Sequence, residues 1–321
     1  MLGEAKDGCC PKTAIPAKPL VTIGLCVKNF EKYISDTMAS LIAQDFPPEL
    51  IELIVVDGYS TDTTLSIIKK YISKIGMRYK VFYENKGLGF ARQIVVDNAQ
   101  TEYIVWVDGD LVLSEEYIKG LFSLMSQNSR LGIVKGKYSL ESGANRVATL
   151  EIYARAATKL VDFNSKINTN SMGTAGCMYR VEAIRQAGGF EAGIKGYGED
   201  WDAERRVAAK GWYLGIFDVC YRDYERYGLT WKDVWRKYLR RGRDSLRFFH
   251  MNRGSIELYR WTPFAGFVSG LLHSSIIYRL TGKKIAFLLP IQYAFKQSAW
   301  CFGFLQEKLD SSEISQAIER R

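Results

Sequence analysis

Four short apolar runs punctuate the first third of the chain: Leu20–Val27 (LVTIGLCV), Glu52–Val56 (ELIVV), Tyr79–Glu84 (YKVFYE) and Tyr103–Val107 (YIVWV). Runs of this length read as strands, the first, second and fourth of them buried. Between them the apolar positions change period. Ile34, Met38, Leu41 and Ile42 recur at helical spacing within Glu31–Ala43, and helices are also expected over Thr64–Ile75 and from about Phe90 to Ala99. Ser60, Thr61 and Asp62 offer caps before the second of these. Continuous apolar strands alternating with helices predict an α/β domain with a mostly parallel sheet.

In such sheets ligands bind beyond the carboxyl ends of the strands. Acids stand at two of those ends: Asp57 after the second run, and Asp108 and Asp110 after the fourth, separated only by Gly109. Alternation along an extended chain puts Asp108 and Asp110 on one side. Glycine between them lets another group approach the backbone. Two like charges so placed raise each other's pKa unless something neutralises them, as a divalent cation carrying a diphosphate would. D-G-D is also a common turn composition; the convergence of three carboxylates on one sheet edge favours the ligand reading.

A second informative stretch is Gly188–Gly211, GGFEAGIKGYGEDWDAERRVAAKG. A glycine-rich loop precedes Glu199-Asp200, which open a helical segment over Trp201–Lys210. Acids suit the first turn of a helix on electrostatic grounds alone. The functional reading is a general base held at a helix N-terminus beside the loop. Neighbours in sequence cannot both face the same way, so one of the two aims at a ligand and the other at structure or an acceptor. Gly173, Gly176 and Cys177, within Ser171–Arg180, read as a tight strand near the site, with close packing the favoured explanation.

Composition narrows the chemistry. The 321 residues are 47% hydrophobic, which excludes global disorder, and the formal net charge of +9 suits a polyanionic partner. Six cysteines without a C-x-x-C pair, and two histidines, His250 and His273, argue against a zinc site. A metal here would be a hard cation on carboxylates, Mg2+ or Mn2+. Scattered cysteines fit reduced thiols in a cytosolic setting. Residues 1–19 hold lysines and prolines and no apolar core, so they read as a flexible tail and not as a signal peptide.

After about residue 220 the composition shifts. Between Arg222 and Arg260 stand eleven Lys/Arg and five Asp/Glu, six of the nine excess positive charges. Trp231, Val234, Trp235 and Tyr238 fall at helical spacing among Arg236, Lys237, Arg240, Arg241 and Arg243. This is a solvated basic helix, a diphosphate-contacting one (LRRGRD, Leu239–Asp244, being the candidate), or one that adheres to anionic lipid. Trp261–Leu280 and Ile285–Leu305 are each about long enough to span a bilayer. Pro263, His273, Pro290, Gln292 and Lys296 make both weak spans, and buried helices or an interfacial hairpin explain them as well. The expected organisation is a tail over 1–19, a catalytic domain over 20–220, a basic aromatic helical region over 221–260 and an apolar helical, membrane-associated region over 261–321.

Taken in order, Asp57 in VVDGYSTDTT, NKGLGFARQ at Asn85–Gln93, DGD at Asp108–Asp110 and GGF…GEDWDAERRVAAKG make the chain resemble the family-2 inverting glycosyltransferases, which have the GT-A fold. The resemblance covers about residues 20–215. It implies a mostly parallel Rossmann-like sheet flanked by helices, here with a helical C-terminal extension. It also implies roles. Asp57 would sit near the nucleotide base and ribose, and Lys86 and Arg92 would lie where the family contacts the nucleotide, with a structural role for Arg92 equally open. Asp108 would contact ribose or sugar, and Asp110 would bind Mg2+ or Mn2+ on the diphosphate. Asp200 would be the catalytic base, with Glu199 its acceptor-side neighbour. The implied partners are a nucleotide-diphosphate sugar donor of UDP or GDP type, a lipid-linked or glycan acceptor and a membrane surface, at the cytoplasmic face.

Three rivals are weaker. A dinucleotide oxidoreductase needs G-x-G-x-x-G after the first strand, which here ends in CVKNFEKY. No nucleic-acid-binding module surrounds the positive charge. A catalytically silent sugar-nucleotide-binding or membrane-surface protein would lack one of the acids, and none is missing. ELYRW at Glu257–Trp261 is a near-match to the Q-x-x-R-W of processive members, with Glu in place of Gln, and is read as chance.

Overall fold

The computed structural model describes residues 18–74, 76–162, 172–194, 198–223, 228–251 and 262–319. Residues 1–17 of the candidate tail and the ELYRW stretch lie outside them. The four apolar runs are strands. β1 (Val21–Val27) is buried at every position, as its apolar run requires, and leads through a turn to α1 (Ile34–Ile42). That helix starts later than Glu31 because Tyr33 and Ile34 both donate to the Phe30 carbonyl, closing a turn first. β2 (Ile51–Asp57) is again buried throughout and is followed by α2 (Thr64–Ile72). β3 (Arg78–Tyr83), α3 (Leu88–Asn98) and β4 (Tyr103–Asp108) complete the alternation.

The chain continues through β5 (Leu111–Leu113), α4 (Tyr117–Gln127), β6 (Leu131–Tyr138) and α5 (Arg146–Asp162). Then come β7 (Cys177–Arg180), α6 (Val181–Gln186), α7 (Glu199–Ala209) and β8 (Tyr213–Asp223). The eight strands form one sheet in the order β3-β2-β1-β4-β7-β6-β8-β5. The first four strands in that order are parallel to one another. Beyond β4 the sheet is mixed: β7 runs against β4 and β6, and β5 runs against β8, while β6 and β8 are parallel.

One face of the sheet carries Cys26, Ile54, Ile104 and Trp106 against apolar side chains of α3, α6 and α7. Trp106 is the largest side chain there and is 1% exposed. It meets Tyr179 and Phe190 edge to face at 6.1 and 5.3 Å between centroids. Its room comes from Gly24 on the neighbouring strand. A Cβ built on Gly24 would lie 2.8 Å from the Trp106 ring and 2.9 Å from Val95 Cγ1. Ile34, Met38, Leu41, Ile68 and Ile72 of α1 and α2 are buried as well. Register then places the acids. Asp57 ends β2 opposite Val27, and Asp108 ends β4 opposite Cys26. They flank β1 at the same edge, about 10 Å apart at strand spacing.

The described residues divide into two compact units. The sheet and its helices are one. The other joins 140–161, mostly α5, to the C-terminal helices α8 (Trp231–Met251), α9 (Pro263–Thr281) and α10 (Leu289–Glu319). α8 and α10 touch backbone to backbone: a Cβ on Gly242 would fall 2.1 Å from the Trp300 carbonyl oxygen, and one on Gly303 2.0 Å from that of Leu239. The aromatic stripe of α8 is used for packing, with Trp231 and Trp235 4.9 and 5.2 Å from Phe295. Within LRRGRD, Arg243 donates to Gln306 Oε1 (2.7 Å) and Arg241 lies over the Tyr238 ring. Inside this unit Glu151 is 1% exposed and accepts from Lys296 (2.8 Å) and Gln292. No helix among the described residues is long and apolar enough to cross a membrane.

Because Trp106 and Val95 close on Gly24 from two sides, Gly24→Ala must overpack the core. The expected loss is about 1–3 kcal/mol, read by urea unfolding. An unchanged midpoint would mean that the Trp106 ring has somewhere else to go.

Candidate functional site

The site begins with two loops that hold each other. Beyond β1, Asn29 takes a positive φ of 59°; beyond β2, Tyr59 takes 56°. Both are non-glycine residues in the left-handed region, which is uncommon and costs conformational energy. Hydrogen bonds between the loops fix them. Asn29 N donates to Ser60 Oγ (3.0 Å), Thr61 N to Asn29 Oδ1 (2.9 Å), Phe30 N to Thr64 Oγ1 (2.7 Å) and Glu31 N to Asp62 Oδ2 (3.1 Å). Asp57, 2% exposed, is anchored in the same web by Ser60, whose N and Oγ donate to its two oxygens at 3.0 and 2.6 Å.

The DGD turn packs on the first of these loops. Asp108 is the last residue of β4, and Asp110 is buried. A Cβ on Gly109 would sit 2.5 Å from Phe30 Cγ, so the group that approaches this glycine is the Phe30 ring.

Helix α3 carries the NKGLGFARQ residues, and it joins two of the stretches singled out in the sequence. Its start is fixed by Glu84, buried at the end of β3, whose Oε2 accepts from Lys86 N (2.6 Å) and Gly87 N (2.9 Å). Lys86 is exposed, with its ammonium 4.3 Å from the Phe90 ring centre. Gly89 abuts the segment leading to α7: a Cβ there would lie 2.8 Å from the Glu191 carbonyl oxygen and 3.5 Å from Glu199 Cβ. Gln93 Oε1 accepts from Phe190 N at 2.7 Å. Arg92, 4% exposed, makes a short hydrogen-bonded ion pair with Glu199 Oε1, and its Nη2 lies 3.8 Å from Asp108 Oδ1. One guanidinium therefore spans the β4 acid and the acid that opens α7.

Gly198, at φ 109°, turns the chain into α7. Glu199 points inward, 4% exposed, while Asp200 is half-buried and accepts from the Trp201 N–H at 2.8 Å. The two acids face different ways, as adjacency requires. Residues 195–197 of the glycine-rich loop lie outside the described residues. Burial pushes the Glu199 carboxyl up from 4.5 to about 7, against the pull of Arg92 and with Asp200 and Asp108 adding to the rise. Burial likewise pushes the Cys26 thiol up to about 12, which keeps it protonated beside Arg92 and Asp108.

Arg92 thus ties Glu199 to Asp108, the structural alternative left open for it in the sequence. Glu84, Asn29 and Ser60 are contributors the sequence reading missed, as is Glu204. The last shares the buried face of α7 with Glu199 and accepts from Met172 N (2.7 Å) and Tyr179 OH (3.2 Å). The signals were present: an acid closing a strand before a glycine turn, and glutamates at helical spacing with Ala203 and Val207.

The residues suit a hard cation. Asp108 and Asp110 offer oxygen donors, and the one sulfur nearby is held as a thiol. Among the described residues no group of three or more His, Cys, Asp or Glu could hold a metal.

A folded-state pKa above the unfolded one means that the fold binds the proton more tightly. Glu199's contribution to stability is therefore full below its ordinary value and lost as pH rises towards 7. Arg92→Met removes the opposing cation, so the carboxyl rises further and the loss extends to higher pH. Urea unfolding should show a larger deficit for Arg92→Met at about pH 8 than at about pH 5. An equal deficit at both would mean that Arg92 does not counter the Glu199 charge.

Comparisons with known proteins identify the family and the fold. The profile of Glycosyl transferase family 2 matches residues 22–188, more than half of the chain. A curated relative, the poly(ribitol-phosphate) beta-N-acetylglucosaminyltransferase TarS of Staphylococcus aureus, is 32% identical over 142 residues; the match covers 43% of this chain and 24% of that protein. Among solved structures, the mannosyltransferase PcManGT from Pyrobaculum calidifontis, in complex with GDP-Man and Mn2+, superposes with a TM-score of 0.63 at 16% identity, covering 94% of this chain and 91% of that one. TarS residues 1–349 in complex with UDP give 0.50 at 17% identity, over 91% and 92%. At such identities the likeness is one of fold, that of the GT-A glycosyltransferases. The chain belongs to glycosyl transferase family 2.

Proposed function

We propose that the protein transfers a sugar from a nucleotide-diphosphate donor, of UDP or GDP type, to a lipid-linked or glycan acceptor, with inversion at the anomeric carbon. The observation that carries this reading is the tie from Asp108 through Arg92 to Glu199, which holds the DGD turn and the ED pair to one rim beside Asp57. Asp57, rigid on Ser60, contacts the nucleoside. Lys86 is exposed on the turn before α3 and meets the nucleotide's phosphates. Asp108 contacts ribose or sugar. Asp110, with Asp108 beside it, would hold Mg2+ or Mn2+, which when bound supplies positive charge to the departing diphosphate.

Asp200, half-buried where Glu199 is fully buried, takes the proton of the acceptor hydroxyl as its oxygen attacks the anomeric carbon. The new C–O bond forms as the bond to the diphosphate breaks, and the nucleotide diphosphate leaves. Glu199 does not serve as the base in this scheme, because Arg92 occupies its carboxylate; it orients α7 and hence Asp200. The similar structures in complex with GDP-Man and with UDP, and the poly(ribitol-phosphate) beta-N-acetylglucosaminyltransferase relative, support a donor and acceptor of these classes.

Thermal shift with UDP and GDP, with and without Mn2+, tests the donor. Native-state binding at 100 times the dissociation constant adds about 2.7 kcal/mol. The expected result is a Mn2+-dependent shift with one of the two nucleotides, abolished in Asp110→Ala. A normal shift in that variant removes Asp110 from the metal site, and no shift with either nucleotide overturns the reading. Asp200→Asn should keep the nucleotide shift and lose transfer by about 10²–10⁴-fold; near-normal turnover would rule it out as the base.

A further inference from the structure

Helices that pack in water turn large apolar side chains inward and polar ones outward. Helix α9 departs from this, turning mostly small residues inward, whereas α10 buries Leu289, Tyr293 and Trp300 but leaves other large apolar residues outside. The inward stripe of α9 is Gly266, Gly270, Ser274 and Ile277. Its backbone lies directly on the start of α10, where a Cβ on Gly270 would fall 2.4 Å from Pro290 Cα. The Ser274 hydroxyl is satisfied internally, 2.7 Å from the Gly270 carbonyl and 2.9 Å from that of Ala286. His273 and Tyr293 bond to each other at 2.8 Å, and Lys296 and Gln292 are used up on Glu151. Ser274, His273, Tyr293, Lys296 and Glu151 therefore find polar partners inside this unit.

The outward side is apolar. Phe264 is 78% exposed, Leu272 64%, Ile291 59%, Leu305 55% and Leu271 and Phe287 54% each. Exposed apolar surface on this scale marks an interaction site. Its charge pattern selects the partner. From Pro263 to Leu305 there is no Asp or Glu. The exposed charges of that stretch are Arg279, Lys283 and Lys284, gathered where α9 gives way to α10. Protein interfaces ring an apolar core with polar groups. Here one sign of charge sits at one end of the surface, as at the boundary between hydrocarbon and lipid phosphate.

We propose that the outward face of α9 and α10 docks on a lipid bilayer. Phe264, Leu271, Leu272, Phe287 and Ile291 enter the acyl boundary, and Arg279, Lys283 and Lys284 lie at the level of anionic headgroups. The polar cluster around Glu151 is the protein side of this arrangement, and the proposal stands whether or not the donor assignment above is correct.

The test is flotation of the full chain with vesicles of phosphatidylcholine, alone or mixed with phosphatidylglycerol. The wild type should float with both and more completely with the anionic mixture. Leu271→Glu combined with Leu272→Glu changes only outward positions and should lower the bound fraction at least about tenfold, with helicity by circular dichroism unchanged. Should that variant misfold, Lys283→Gln and Lys284→Gln give a second reading: binding to the anionic vesicles should weaken by about fivefold per charge removed, with no change on phosphatidylcholine alone. A protein that stays monodisperse without detergent and floats with neither vesicle overturns the proposal. So does a dimer that the Leu→Glu changes dissociate and that floats with neither vesicle.

Discussion

Arg92 and Glu199 form a buried pair, and the candidate site depends on it. Each is almost wholly removed from water, and neither charge is tolerable there alone. Such a pair is not a large net source of stability, because desolvating both partners opposes their attraction. Its effect is geometric. Bonding to the first residue of α7 fixes where that helix begins, and so where Asp200 stands. The remaining reach of the guanidinium towards Asp108 brings the carboxyl end of β4 into the same arrangement. Helix α3 is shaped around this contact: Gly89 lets the incoming segment close on its backbone, and Gln93 holds the Phe190 amide one turn further on.

This dependence also explains which parts of the molecule the sequence displays. β1, β2 and β4 lie within a parallel sheet covered on both faces, so nearly every position is apolar and the runs are conspicuous. β6 hides its nature because Lys135 stands in mid-strand, fully buried, donating to the Met172 and Gly173 carbonyls at 2.8 Å each. A charged residue satisfied by carbonyls 37 and 38 positions away leaves no local trace. The antiparallel joins of β7 and the late pairing of β5 with β8 are likewise decided by contacts across the fold. In the site, Asp57, Asp108 and Asp110 are legible as acids that end apolar runs, and Glu199 and Asp200 as acids that open a helix. The Arg92–Glu199 tie is not legible, since it joins residues 107 apart and an arginine in an amphipathic helix looks like a surface residue. Glu84 reads simply as the end of a strand until its bonds to the next turn are seen.

The two units solve opposite problems with charge. The sheet unit gathers acids at one rim and offsets them with a single internal guanidinium. The helical unit buries its acid, Glu151, under Lys296 and leaves only cations on the outside of α9 and the turn beyond it. Most of the chain's positive excess sits in its C-terminal third.

Phe30 and Gly109 occupy a single fixed volume. The ring fills the space that any side chain at the centre of D-G-D would need, so the spacing of the two acids is set by a size rule imposed from the loop after β1. Charge-preserving changes at Asp108 or Asp110 leave this rule intact, whereas a larger centre residue requires a smaller neighbour at position 30. The rim is in this respect a two-part mould, and its halves can be recast only together.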